Sequence, residues 1–164
     1  MKYTVLQNTV TMLALVITIF GCTKEEELLP DLLDPGAGEC GSEGARLQAD
    51  VQGSAFCASA QLIAMGGSGS LMVTGIDALG TTLILQFDSL AIGQQVIGET
   101  ENSLLYMHLG SSYVPTGEAG VLEITALDTV SRNIKAHFTA TLMNEGNGST
   151  RTVDGSLEVG WTPE

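Results

Sequence analysis

Apolar and polar residues alternate through most of the chain after residue 45. In "RLQADVQG", Leu47, Ala49 and Val51 fall on one side, and Arg46, Gln48 and Asp50 on the other. "SAFCASAQL" sets Phe56, Ala58, Ala60 and Leu62 against Cys57, and "TTLILQF" aligns Leu83, Leu85 and Phe87. "GVLEITALD" aligns Leu122, Ile124 and Ala126. "NIKAHFTATL" aligns Ile134, Ala136, Phe138, Ala140 and Leu142 against Lys135, His137, Thr139 and Thr141. "TVDGSLEVGW" aligns Val153, Gly155, Leu157, Val159 and Trp161 against Asp154, Ser156 and Glu158. A period of two predicts strands. "LLYMHL" differs in being largely apolar on both sides, with Leu104, Tyr106 and His108 opposite Leu105, Met107 and Leu109. Turn-forming clusters separate the segments: "MGGSGS", "DALG", "DTVSRN" and "EGNGS". No capped helical pattern competes. Short links between one-faced strands predict antiparallel sheet. Roughly eight such strands must curl or stack to bury that face. The pattern therefore predicts one all-β domain over residues 46–164, an antiparallel β-sandwich of about eight strands, with a flattened β-barrel as the alternative.

The chain before this domain reads differently. Residues 1–21 carry one basic residue, Lys2, and no acid, and Met12 to Phe20 reads "MLALVITIF". That run is too short for a comfortable membrane span, which takes about 20 apolar residues. A basic start and a short apolar core suit a secretory signal peptide. It ends in "IFGC", which resembles the bacterial lipobox: an aliphatic residue, a variable one, a small one, then cysteine. The resemblance implies a diacylglycerol on Cys22 and removal of residues 1–21. The alternative is an uncleaved anchor helix with a chance cysteine. Two or three acyl chains anchor a protein stably, whereas one does so only marginally. "TKEEE" follows at once and resembles the export signal of surface lipoproteins in the Bacteroidota, which implies display on the outer membrane's outer face. Its plain alternative is a solvated charge run in a linker.

Residues 22–45 hold Pro30, Pro35, several glycines and many acids, the composition of a flexible tether. The whole chain has 19 acidic residues against six basic ones, a net charge of −13. So acidic a surface argues against nucleic acid, whose phosphates need clustered Lys and Arg. Once Cys22 is lipidated, Cys40 and Cys57 remain. The alternation points Cys57 away from the core, where a cysteine arriving from a loop can meet it. An oxidising compartment favours the pair, and closing such a loop is worth about 3 kcal/mol. Two free thiols are the alternative. No metal site is expected, since His108 and His137 lie far along the chain.

Several segments together are similar to a family of small Bacteroidota outer-membrane and surface lipoproteins whose all-β domain has no assigned function. They are Val51 to Phe56, Leu71 to Asp77, Thr81 to Phe87, and the long ending from Gly120 to Trp161. The resemblance implies an all-β fold and a cell-envelope location, and carries no catalytic residue to transfer. The residues themselves agree. No Gly-x-Ser-x-Gly elbow, zinc-binding helix motif or phosphate-cradling loop occurs. His137 falls in phase with Lys135 and Thr139, on the solvated face. Glu99 and Glu101 sit in a loop, where solvation explains them better than glycosidase chemistry. Trp161, in phase with Leu157 and Val159, reads as a core plug rather than a sugar platform. "DSL" at 88–90 and "DTV" at 128–130 resemble the O-glycosylation signal of exported Bacteroidota proteins, which makes Ser89 and Thr129 candidate modification sites.

These observations predict a non-enzymatic envelope lipoprotein without a cofactor. Its membrane contact is the lipid anchor, and its partner a glycan or an envelope protein. A passive structural coat lipoprotein is the alternative, and a hydrolase a weaker one. Any docking is expected on Leu104, Tyr106, His108, Tyr113 and Pro115, because tyrosines make good interface anchors. The competing expectation is that this strand is covered on both faces.

Overall fold

The computed structural model describes Cys40, residues 45–67 and residues 69–163. Cys22 and most of the tether lie outside the described residues. All described regular structure is β: β1 (Arg46–Val51), β2 (Ser54–Cys57), β3 (Gln61–Gly66), β4 (Leu71–Ile76), β5 (Thr82–Phe87), β6 (Gly93–Gly98), β7 (Ser103–His108), β8 (Ser111–Asp128), β9 (Asn133–Met143), β10 (Thr150–Gly160) and β11 (Thr162–Pro163). Most of the apolar rows that the alternation defines turn inward; Ala60 is instead exposed, and an irregularity after Ile124 puts Leu127 rather than Ala126 against the core. Leu47, Phe87, Leu122, Phe138, Leu142 and Val153 are almost wholly buried.

The expected sandwich of about eight strands needs correction. Hydrogen bonding runs without a break in the order β11-β3-β4-β5-β7-β8-β9-β10-β1-β2, with β6 on a separate stretch of β8. This is one curled, open sheet, a half-barrel, rather than two stacked sheets. Two places make the continuity possible. The first is β8, whose alternation is read only in Gly120 to Asp128 but which forms one strand of 18 residues. Its start pairs with β7 through Ser111–Tyr113, and its later part pairs with β6 and β9. The register shifts between Pro115 and Gly120. A proline cannot donate to a ladder and is tolerated where pairing is interrupted, so the irregularity absorbs Pro115 and bends the strand.

The second place is "SAFCASAQL", expected as one strand but split in two. Ala58 N donates to Leu47 O at 3.0 Å, and Ala60 N to Ile76 O at 3.0 Å. Between these bonds the chain leaves β1 for β4. The curl then brings the halves face to face. A Cβ on Gly75 of β4 would lie 2.7 Å from Leu47 Cδ2 and 2.8 Å from Ala58 Cβ. Beyond β10, Trp161 is buried, and Thr162 and Pro163 pair in parallel with β3 at the opposite end of the sheet order. A disulfide joins Cys40 to Cys57 at the end of β2.

The phase of β9 is open to measurement. Phe138→Ala is expected to cost about 3–5 kcal/mol in urea denaturation. Its outward neighbour His137→Ala should stay within about 0.5 kcal/mol. Equal costs would contradict the inward row.

Candidate functional site

The expected patch is placed mostly indoors. Leu104 is 1% exposed, Tyr106 and Tyr113 are each 7% exposed, and Pro115 is buried. The docking expectation on these residues is therefore corrected. β7 directs Leu104 and Tyr106 at the core, because Tyr106 pairs with Leu83 on one side and Tyr113 on the other. His108, half-buried, stacks on Tyr106 with ring centroids 6.2 Å apart, and its Nδ1 lies 3.1 Å from Thr81 Oγ1. Tyr106 and Tyr113 are 5.9 Å apart, and the Arg151 guanidinium lies 5.6 Å from the Tyr113 ring. Burial raises the Tyr106 hydroxyl above its ordinary value. Hydrogen bonding with Ser149, then with Arg151, lowers that of Tyr113. This is a packed end of the core, with its polar atoms engaged.

The opposite side of the same strands is the unusual surface. On the outward face of β3, β4, β5 and β7, three rows run across the strands. One row is Met65, Met72, Gln86 and Ser103, and the next is Ile63, Thr74, Ile84 and Leu105. The third is Gln61, Ile76, Thr82 and Met107. No residue in these rows is charged. Met72 is 43% exposed, Ile63 40%, Met65 38% and Met107 36%.

Two leucines flank the end of the sheet that holds the third row. Leu79, in the β4–β5 turn, and Leu109, in the β7–β8 turn, are 87% and 89% exposed. Leu109 and Gly110 form a two-residue hairpin loop with φ of 48° and 77°. Such loops favour Asn-Gly, because both central residues need positive φ. Leucine is disfavoured there twice, by its backbone conformation and by its exposure to water.

The outward face of the other half is charged. Lys135 and Glu158 form an ion pair at 2.7 Å between β9 and β10, and the Lys135 ammonium holds the Glu158 carboxyl below its ordinary value. Thr139 Oγ1 donates to Asp154 Oδ2 at 2.8 Å. His137 is exposed in this same face.

A second feature lies between the β5–β6 and β6–β7 connections. A cleft of about 470 Å³ is lined by Asp88, Ser89, Gln94, Gln95, Glu101 and Asn102, among others. Asn102, nearly buried, accepts from Asp88 N at 3.1 Å and donates to Val96 O at 2.9 Å, tying the two connections together. Gln95 Nε2 donates to Ala91 O, while its Oε1 is buried without a partner. Such a lining can bind through hydrogen bonds. Glu101 lines this cleft, while Glu99 Oε1 accepts from Gly117 N at 2.9 Å, a structural contact. Among the described residues, no cluster of His, Cys, Asp or Glu could hold a metal ion.

Residues 43–157 match a protein-family model for a domain of unknown function, DUF6252. The chain belongs to this family. The DUF6252 match takes in the strands of the apolar face and the whole cleft, and ends inside β10. No curated protein matches the sequence.

The two candidate modification sites are both exposed, Ser89 after β5 and Thr129 in the β8–β9 turn. That turn is held by Asp128 Oδ1, which accepts from Val130 N at 2.8 Å and Ser131 N at 2.9 Å. Hydrogen bonds from the Ser131 hydroxyl and then from these amides lower the Asp128 carboxyl below its ordinary value. A depressed carboxyl stabilises the fold above the ordinary Asp range, and the effect is lost as pH falls through its folded value.

Two outcomes follow. In an NMR titration Asp128 should lose its proton below the ordinary Asp range, and Ser131→Ala should move it upward; an unmoved Asp128 would contradict the hydroxyl's role. Tyr106→Ser should lower the melting temperature by about 10 °C, the consequence of a core deletion worth roughly 3 kcal/mol. An unchanged melting temperature would return Tyr106 to the surface.

Proposed function

We propose that the protein is a cell-envelope lipoprotein, anchored through Cys22 and displayed at the outer surface, whose folded domain is a non-catalytic docking or assembly module. Signal, lipobox and acidic follow-on support the anchor and the address. The observation that carries the docking reading is the uncharged outward face of β3, β4, β5 and β7, with Leu109 at its end. An apolar surface gathered on one side, rimmed by Gln61, Gln86 and Ser103, is what interaction sites offer. A residue held in an uncommon backbone conformation and exposed to water is better explained by a partner than by folding. The cleft beside β6, lined by Ser89, Gln94 and Glu101, suits a hydroxyl-rich ligand such as a glycan. Ser89 and Thr129 are proposed as O-glycosylated positions.

A passive coat lipoprotein is the second reading. The charged face of β8, β9, β10 and β1 suits display in water, but that role does not account for Leu79 and Leu109.

The anchor is tested by intact mass: the expected species begins at Cys22 and carries diacylglycerol. A chain retaining residues 1–21, or lacking lipid mass, would overturn it. Protease treatment of whole cells should remove the domain, and its survival until the outer membrane is broken would contradict surface display. In-cell cross-linking of the wild type should yield a heavier species. The double variant Met72→Lys, Ile84→Lys should reduce that species several-fold, and equal yields would contradict docking through this face.

A further inference from the structure

We infer that the partner of the apolar face is a second copy of this chain, docked sheet to sheet about a two-fold axis. This rests on the docking reading above and adds the identity of the partner.

Charge is the first argument. A two-fold interface sets each residue against itself or against its mate on the other copy. On a chain of net charge −13, most surfaces brought together in this way would place acid against acid. The three rows across β3, β4, β5 and β7 contain no charge at all. Stacked by this face, the two copies keep charged rows such as Lys135, Asp154 and Glu158 on the other half of each half-barrel, and Asp88, which accepts from Gln86 Nε2 at 3.0 Å, stands at the edge of the first row rather than within the face. Facing sheets pack about 10 Å apart, so rows beyond them lie further away than the ~8 Å over which exposed charges interact at physiological salt.

The second argument is composition and area. The middle row, Ile63, Thr74, Ile84 and Leu105, is the apolar centre, and Gln61, Gln86 and Ser103 form a polar rim. Met65 pairs with Met72 across β3 and β4, and methionine is enriched at interfaces and adapts to the surface it meets. Four strands of six residues make a footprint of about 20 Å by 20 Å. That flat area of ~400 Å² is about half of the ~800 Å² per partner of a standard interface, and side-chain relief with the flanking Leu79 and Leu109 adds to it.

The third argument disfavours a bilayer. Lipid surfaces that carry negative charge are held by Lys and Arg, and this face has neither.

The test uses the full chain. Two differently tagged copies are co-expressed, extracted in mild detergent and captured through one tag. Recovery of the other tag is expected. The double variant Met72→Lys, Ile84→Lys in both copies should lower it at least tenfold while the β-sheet circular dichroism spectrum of the folded domain is retained. Should that variant fail to fold, Leu109→Asn decides: asparagine suits the left-handed turn, so the domain should stay folded while recovery falls several-fold. No second tag from the wild type overturns the inference. If a different envelope protein or added phosphatidylethanolamine–phosphatidylglycerol vesicles are retained instead, the second copy is ruled out while docking through this face stands. Full recovery from both face variants also overturns it, since association would then use another surface.

Discussion

A sheet with one apolar face cannot stand in water until something covers that face, and here the sheet covers itself. No helix and no second sheet lies over Phe87, Leu122, Phe138 and Leu157 among the described residues. The strands curl until the inner rows of β3, β4, β5 and β7 meet those of β8, β9, β10 and β1. That closure depends on strands passing from one half to the other. β8 does so through its irregularity at Pro115 to Gly120, and the segment after Cys57 does so by changing partner from β1 to β4. It also depends on a small residue where the halves press closest: Gly75 faces Leu47 and Ala58. Within one half, Gly155 leaves room for its cross-strand partner Phe138, whose ring would lie 2.4 Å from a Cβ there. Overpacking at such points costs about 1–3 kcal/mol.

Self-covering leaves two outward faces, and they are unlike. The half built on β8, β9, β10 and β1 presents Lys135, His137, Asp154 and Glu158, a conventional solvated face. The half built on β3, β4, β5 and β7 presents methionine, isoleucine and leucine. Folding does not require this, since threonine or glutamine would serve the strands as well, as Thr74 and Gln86 do within the same rows. Nor does the β7–β8 loop require leucine, since Asn-Gly would form it more readily. Apolar residues kept where neither local geometry nor burial asks for them point to a contact made with another molecule.

Much of the fold was legible because a period of two survives wherever one face is wet. The rows of β1, β5, β9 and β10 follow directly from it, as does the outward Cys57 that meets Cys40. β7 was not decided, because Leu104, Leu105, Tyr106 and Met107 are apolar on both sides and alternation has nothing to choose between. Its pairing with β5 and β8 turns Leu104 and Tyr106 inward and leaves Leu105 and Met107 outside, which moved the candidate surface to the other face of the same strand. β8 hid its length behind a proline and two glycines that ordinarily end strands. β11, two residues long, pairs with a strand nearly a hundred positions earlier, a separation no local pattern carries. The cleft at Asn102 was equally hidden, since it depends on how two connections approach in space. A signal for the apolar face did exist: Met65, Met72, Ile84 and Met107 all occupy the non-core phase of their strands.

The most direct measurement is oxidative footprinting of Met65, Met72 and Met107 across a range of protein concentrations. Methionine sulfur oxidises according to its exposure, and all three are open to solvent in the single chain. If the apolar face pairs with its copy, their oxidation slows together as concentration rises, and in the Met72→Lys, Ile84→Lys variant Met65 and Met107 oxidise at one rate throughout. Oxidation of the wild-type methionines at the same rate at every concentration would contradict the account.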